Sequence, residues 1–215
     1  MTLKVNEIFY SIQGESTYAG RPCVFVRLTG CNLRCSYCDT TYAYQDGDVW
    51  SLKDLLARVG SYSCGLVEIT GGEPLLQDET PTLARRLLDA GYRVLVETNG
   101  SINIELLDQR CVRIVDFKCP SSGEADKADW DNWHRMGPED QAKFVISNRT
   151  DYEFAVHALK RLCDNAGPRF PVLFSPVFGA MEPRTLAEWI LEDSLPVRLQ
   201  LQLHKLIWGP VARGV

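Results

Sequence analysis

Each short apolar segment of this chain ends in a cluster of small or polar residues, and that recurrence restricts the fold more than any other feature. Val5 to Ile12 runs into Gln13-Gly14-Glu15-Ser16, and Cys23 to Leu28 into a cysteine-rich stretch. Leu66 to Ile69 leads to Thr70-Gly71-Gly72-Glu73-Pro74, and Tyr92 to Val96 to Glu97-Thr98-Asn99-Gly100. Val112 to Phe117 precedes Lys118-Cys119-Pro120-Ser121-Ser122-Gly123, Val172 to Phe174 precedes Ser175-Pro176-Val177-Phe178-Gly179, and Val197 to Leu203 precedes His204. Ala142 to Ile146 is a further strand of the same kind. Helical spacing fills the intervals. Leu52, Leu55, Leu56 and Val59 follow a Ser51 N-cap, and Pro81 to Ala90 carries Pro at its start and Gly91 beyond its end. Asp151 to Asn165 and Thr185 to Leu191 read as helices, Ile104 to Gln109 as a short one, and Glu124 to Pro138 as a partly helical excursion. Strands alternating with helices make a parallel sheet with right-handed crossovers. A (β/α) barrel and an open doubly wound sheet both put their ligands at strand C-termini, where these clusters fall.

Within the clusters, Cys31-Asn32-Leu33-Arg34-Cys35-Ser36-Tyr37-Cys38 places three thiols in eight residues. They cannot all pair among themselves, but a short loop can turn all three onto one metal centre. An iron–sulfur cluster normally takes four thiolates. A site with three protein ligands keeps one position open, as catalytic metal sites do. The competing reading is zinc, with a fourth ligand from Cys23, Cys64, Cys111, Cys119 or Cys163. Zinc modules usually present paired C-x2-4-C units, and no second pair exists here.

The 215 residues suit one domain, with no repeat, linker or low-complexity segment. A net charge of −5 argues against a nucleic-acid partner, which needs a concentrated basic face. No basic stretch precedes an apolar one, so no secretory leader is expected, and no apolar run approaches the roughly 20 residues of a membrane helix. The eight cysteines are clustered rather than framework-spaced, which fits a reducing cytoplasm.

The C-x3-C-x-aromatic-C spacing resembles the cluster motif of the radical S-adenosylmethionine enzymes. The resemblance implies that Cys31, Cys35 and Cys38 hold a 4Fe–4S cluster. The amino and carboxylate groups of S-adenosylmethionine chelate its fourth iron, and reductive cleavage of the sulfonium yields a 5′-deoxyadenosyl radical. It further implies a partial barrel, usually of six strands: an α/β, (β/α)6-type TIM-like domain over residues 1–215. Gly72 and Glu73 of the glycine motif, with Tyr37, Cys38 and Asp39, are expected at the cofactor. Ser121, Ser122 and Gly123 are expected at its carboxylate or ribose, and Ser175, Pro176, Val177 and Phe178 around its adenine. Serine–glycine and serine–proline pairs are also ordinary loop residues.

Phe9 to Ser16, Gly20-Arg21-Pro22, Phe25 to Leu28, Cys31 to Thr40, Thr70 to Pro74 and Gln202-Leu203-His204-Lys205 together resemble the 7-carboxy-7-deazaguanine synthase family within that superfamily, over nearly the whole chain. That family converts 6-carboxy-5,6,7,8-tetrahydropterin to 7-carboxy-7-deazaguanine with loss of ammonia, aided by magnesium. The resemblance implies a homodimer served by a flavodoxin-like or other reductant. A pterin offers a guanine-like edge and a carboxylate. Gln13 and the backbone of Ile12 and Gly14 are placed to read the edge, because an amide both donates and accepts. Arg27 can fork the carboxylate, and Glu15 can accept from the amino groups. Thr70 and His204 complete the expected wall, Thr40 the magnesium site, and the Val215 carboxylate is expected to fold back onto the substrate. Two other classes share part of the pattern: a glycyl-radical-enzyme activase, which would need a surface for a protein partner, and an iron–sulfur electron carrier, which would normally complete its ligand set.

Overall fold

The computed structural model describes residues 1–163, 167–210 and 212–214. In chain order its elements are β1 (Thr2–Ile12), β2 (Pro22–Leu28), β3 (Asp48–Ser51), α1 (Leu52–Gly60), β4 (Leu66–Gly71), α2 (Thr80–Asp89), β5 (Arg93–Thr98), β6 (Val112–Asp116), α3 (Asn132–Arg135), β7 (Gln141–Ile146), α4 (Arg149–Leu162), β8 (Val172–Pro176), α5 (Pro183–Glu192), β9 (Arg198–Leu199) and α6 (Leu203–Trp208). Single 3-10 turns fill several loops, including Thr41–Tyr44 and Ile104–Leu106.

Local chemistry sets the helix starts. Ser51 accepts a hydrogen bond from the Asp54 N–H, and Asn148 accepts one from Asp151. Each such cap stabilises its helix by about 1 kcal/mol. α5 begins with Pro183 and α2 has Pro81 as its second residue, positions where the missing N–H would have no helical partner.

The strands form one sheet in the order β3-β1-β2-β4-β5-β6-β7-β8-β9. From β2 onward every neighbour is parallel, and the order follows the chain without reversal. A doubly wound sheet reverses its order at a switch point; this one does not, so its crossovers accumulate on one side and the sheet curls. β3 and β9 stand at the two edges, which makes the barrel partial. β1 runs antiparallel between β2 and β3. Asp48–Ser51, four residues with Val49 and Trp50 adjacent, shows no alternation that would read as a strand in advance.

Alternate residues face opposite sides of the curled sheet. The outward set, including Val26, Ile69, Val96, Val115, Phe144 and Phe174, packs on Leu55, Val59, Leu83, Leu87, Ala155 and Leu186 of the helices. The inward set begins at the bottom with a small apolar floor of Cys23, Phe25, Leu66, Leu95, Val112 and Ile114.

One expected element is shorter. The strand predicted over Val197 to Leu203 pairs only at Arg198–Leu199, and His204 lies in the first turn of α6 rather than at a strand end. The cause is side-chain competition. Gln200 and Gln202 turn their amides onto the Ser16 N–H and the Glu15 carboxylate, so the backbone leaves the ladder.

Candidate active site

Above the apolar floor lies a cavity of about 750 Å³, walled by the C-terminal ends of the strands and the loops that follow. The three-cysteine loop forms one side. It is held from below by the segment after β6. The Ser36 N–H donates to the Ser122 carbonyl (3.0 Å), the Ser36 hydroxyl to the Ser121 carbonyl (2.6 Å), and the Arg34 N–H to Glu124 (2.6 Å). Cys31, Cys35 and Cys38 all line the cavity, and all are free thiols. Burial pushes the Cys35 thiol up to about 11, so ligation, which needs the thiolate, must be coupled to loss of a proton.

The donor set suits a cluster better than a single ion. Among the described residues, no three His, Cys, Asp or Glu side chains converge tightly enough to hold one metal ion, as a zinc site requires. Backbone fit is also present. An added Cβ at Gly72 would stand 2.2 Å from the Gly30 carbonyl and 2.6 Å from the Cys31 Cβ. At Gly71 (φ +152°) it would stand 2.2 Å from the Leu28 carbonyl. The end of β4 can press against the cysteine loop only because both positions are glycine. The Tyr37 hydroxyl and Asp116 Oδ1 are buried without a hydrogen-bond partner, and both residues belong to the cavity wall. Orphaned polar atoms beside the thiols fit a polar cofactor there.

Comparison with known proteins agrees with this geometry. Residues 25–115 match the Radical SAM superfamily. A 7-carboxy-7-deazaguanine synthase from Koribacter versatilis (strain Ellin345) is 44% identical over 99% of this chain and 100% of its own. The synthase of that name from Chlorobaculum tepidum is 45% identical over 99% and 97%.

The chain belongs to the 7-carboxy-7-deazaguanine synthase family.

Among solved structures, QueE from Escherichia coli is similar over 95% of each chain with a TM-score of 0.74; at 24% identity this speaks to the fold. Streptococcus suis SuiB bound to S-adenosylmethionine shares the fold more loosely, with a TM-score of 0.51 and 13% identity over 80% of this chain and 48% of that one. As a member of the synthase family the protein is a radical S-adenosylmethionine enzyme, with a 4Fe–4S cluster and S-adenosylmethionine as cofactors. The activase and electron-carrier readings fall away.

Opposite the cysteines, Ile12, Gln13, Gly14, Glu15, Arg27, Thr70 and His204 share the same cavity wall. α6 docks on Gly14. The Leu203 N–H donates to the Gly14 carbonyl (2.9 Å), and an added Cβ at Gly14 would stand 2.1 Å from His204 Nδ1. Burial lowers the His204 pKa, which favours the neutral imidazole. Arg27 gives its Nε to Glu7 (2.7 Å), lies beside the rings of Phe9 and Tyr42, and lines the cavity. Thr40 donates its hydroxyl to Asp39 (2.9 Å) and makes no side-chain cap to the turn that follows. Asp39 is itself paired with Lys205. Burial opposes its ionisation, but Lys205 holds it well below the usual carboxylate range.

Several expected contacts are placed differently. The Gln13 amide is also tied to structure: Nε2 donates to Glu68 and Oε1 accepts from the Glu15 N–H, which leaves one donor and one lone pair of a cavity-lining side chain. Glu73 is fully buried behind the wall, accepting from Leu75 N, Asn99 N and the Thr98 hydroxyl; it braces the end of β5. Ser121, Ser122 and Gly123 do not line the cavity, because their carbonyls and hydroxyls support the cysteine loop and the Asn148 turn. Ser175 and Pro176 are buried in β8, while Val177 and Phe178 beyond them do reach the wall. Tyr37, Cys38, Asp39 and Gly72 line it as expected. The tail folds back, with Gly209, Pro210, Ala212, Arg213 and Gly214 at the cavity and Arg213 stacked over Tyr42. Val215 lies outside the described residues.

The residues missed in sequence are charged ones on the inner faces of strands: Glu68, Glu97, Asp116, Lys143 and, just beyond β6, Lys118. Glu15 accepts from Lys143, Gln200 and Gln202; burial works against its charge, but Lys143 prevails and holds it at about 2. Glu68 is pushed well above the usual range by burial and by Glu97 and Glu15, and Glu97 is raised by burial. A signal for these residues was available. A strand apolar on both faces reads as an unbroken hydrophobic run, and a lone charge inside Leu66–Gly71 or Gln141–Ile146 marks an inner face that is not apolar core.

Proposed function

We propose that the protein converts 6-carboxy-5,6,7,8-tetrahydropterin to 7-carboxy-7-deazaguanine and ammonia, on the route to queuosine and related deazapurines. One observation carries the reading. A single cavity joins the three-cysteine loop to Arg27, Glu15 and His204, groups suited to a carboxylate and an amino-bearing heterocycle. The substrate and the two products balance without net oxidation, which suits a cofactor regenerated in each cycle.

The chain's own residues bind and orient. Arg27, with Nε fixed by Glu7, presents its Nη groups to the substrate carboxylate. Ionised Glu15 accepts from the amino edge. Neutral His204, seated against Gly14, borders the ring. Thr40 holds magnesium through its hydroxyl, with water and substrate oxygens completing the octahedron that this ion prefers. Cys31, Cys35 and Cys38 hold the cluster, and Tyr37, Asp39, Gly72, Val177 and Phe178 border the S-adenosylmethionine. When bound, these two groups supply the radical that takes a hydrogen atom from the substrate. A flavodoxin-like reductant provides the electron, and two copies of the chain form the working unit. Cysteines held as thiols, as at Cys31, Cys35 and Cys38, favour a reducing cytoplasm, and no helix among the described residues is long and apolar enough to cross a membrane.

The test is anaerobic incubation with dithionite, S-adenosylmethionine, magnesium and carboxytetrahydropterin, followed by mass analysis. The deazapurine should form without stoichiometric 5′-deoxyadenosine. Absence of the deazapurine contradicts the reading.

A further inference from the structure

β7 carries an ammonium group in the middle of an otherwise uncharged strand. The Lys143 side chain is only 7% exposed, and its Nζ lies 2.7 Å from Glu15 Oε2, 2.6 Å from Glu97 Oε1 and 3.7 Å from Asp116 Oδ2. Lysine has three donors and no acceptor; two of them go to Glu15 and Glu97, and Asp116 adds a longer ion pair from a third segment. The remaining hydrogen bonds to the Glu15 carboxylate come from neutral amides, Gln200 (3.1 Å) and Gln202 (2.9 Å).

The other charged and titratable groups near Glu15 are Arg27 from β2, Glu68 from β4, Glu97 from β5, Asp116 from β6, and His204 and Lys205 from α6. Arg27 pairs with Glu7, Lys205 with Asp39, and Lys118 with Asp116. Among the described residues, Lys143 is therefore the one cation hydrogen-bonded to Glu15.

We propose that Lys143 is a positioning residue for substrate recognition, pinning Glu15 as an anion aimed into the cavity where the amino-bearing edge of the substrate is read. The inference rests on the pterin reading above. Its physical content is a matter of donors and acceptors. An ionised carboxylate only accepts, whereas a protonated one presents an O–H. An O–H facing the N–H groups of an aminopyrimidine leaves donors opposed and unpaired in a buried site, which is costly. Burial favours the proton on Glu15, and Lys143, with smaller contributions from His204 and Gln202, overrides it. Without the ammonium, Glu15 titrates upward and the reading edge becomes pH-dependent. Lys143 itself does not touch the reacting atoms, so the turnover rate at saturation should change little.

The test is the pH dependence of KM for carboxytetrahydropterin in reconstituted holoenzyme, comparing wild type with Lys143→Met and Lys143→Arg. Cluster content and the spectral response to S-adenosylmethionine confirm that each enzyme is loaded. Wild type and Lys143→Arg should show a flat KM above pH about 6, because arginine keeps the charge at every pH. In Lys143→Met, KM should rise about tenfold for each pH unit below the new Glu15 pKa and recover on the alkaline side. Should the single variant fail to fold because Glu97 loses its partner, Lys143→Met/Glu97→Gln removes both members and should show the same acid-side rise. A pH-independent KM in the methionine variants overturns the proposal, as does a Lys143→Arg enzyme equally impaired at all pH. Wild type that yields no deazapurine overturns the functional reading instead, and this inference with it.

Discussion

Lys143 and Phe144 are neighbours on β7, yet one faces the barrel interior and the other the helices. Phe144 meets the rings of Phe117 and Phe174 and is fully buried in the sheet–helix core. Lys143 meets Glu15, Glu97 and Asp116. The same parity holds on β4, with Ile69 outward and Glu68 inward, and on β2, with Val26 outward and Arg27 inward. Outward residues stabilise the fold by leaving water. Inward ones are desolvated charges, and a buried ion pair seldom repays its desolvation. The two faces divide the labour, and single substitutions should separate stability from chemistry.

The largest effect should come from the cysteine loop. Cys35→Ala should lose the iron and all product formation, while the outer core keeps the metal-free chain's unfolding midpoint close to wild type. Iron analysis and a denaturant titration check both halves, and retention of four irons would sink the ligand assignment. Thr40→Ala should be milder. Among the described residues its hydroxyl bonds only to Asp39 and caps no turn, so stability and cluster should be unchanged. Magnesium affinity should fall by about tenfold or more, the loss typical of changes around a metal ligand. Full magnesium-stimulated activity would place the ion elsewhere.

The smallest effect is on stability against pH. Glu68, Glu73 and Glu97 are raised above the usual 4.5 by burial, so the folded chain holds protons that the unfolded chain releases. Stability should therefore fall as pH rises from about 4.5 toward their folded pKa values. Glu15 and Asp39 are lowered, and their contribution is lost as pH falls from about 4 toward their folded values. The metal-free protein should thus be most stable at mildly acid pH, as denaturant midpoints across the range will show. Glu68→Gln should flatten the alkaline limb. Phe144→Ala should lower the whole curve without changing its shape.

The outer face was legible because burial writes itself as periodicity. Leu52, Leu55 and Val59, or Val94 and Val96, announce their elements, and Ser51 announces a helix start. The cysteine loop and Gly71-Gly72 were legible because their chemistry is local in sequence. What escaped was long-range. Lys143 is 128 positions from Glu15, its partner across the barrel, and no spacing rule joins them. Gln13 was legible as a cavity residue, but not its bond to Glu68, which a linear reading places on an ordinary strand. The Ser121-Ser122-Gly123 turn had the composition of a binding loop, but its bonds to Ser36, as a shelf beneath the cysteine loop, were not legible.

The division between the two faces is tested most directly by measuring unfolding free energy and substrate KM on the same two variants. Phe144→Ala should cost about 3–5 kcal/mol of stability and leave KM per folded molecule unchanged. Arg27→Gln should cost clearly less stability than Phe144→Ala, because Glu7 keeps the Tyr42 hydroxyl as a partner when the pair is lost. It should raise KM by tenfold or more, about 1.4 kcal/mol of lost binding. An Arg27→Gln enzyme that unfolds like Phe144→Ala while binding substrate normally would contradict the account.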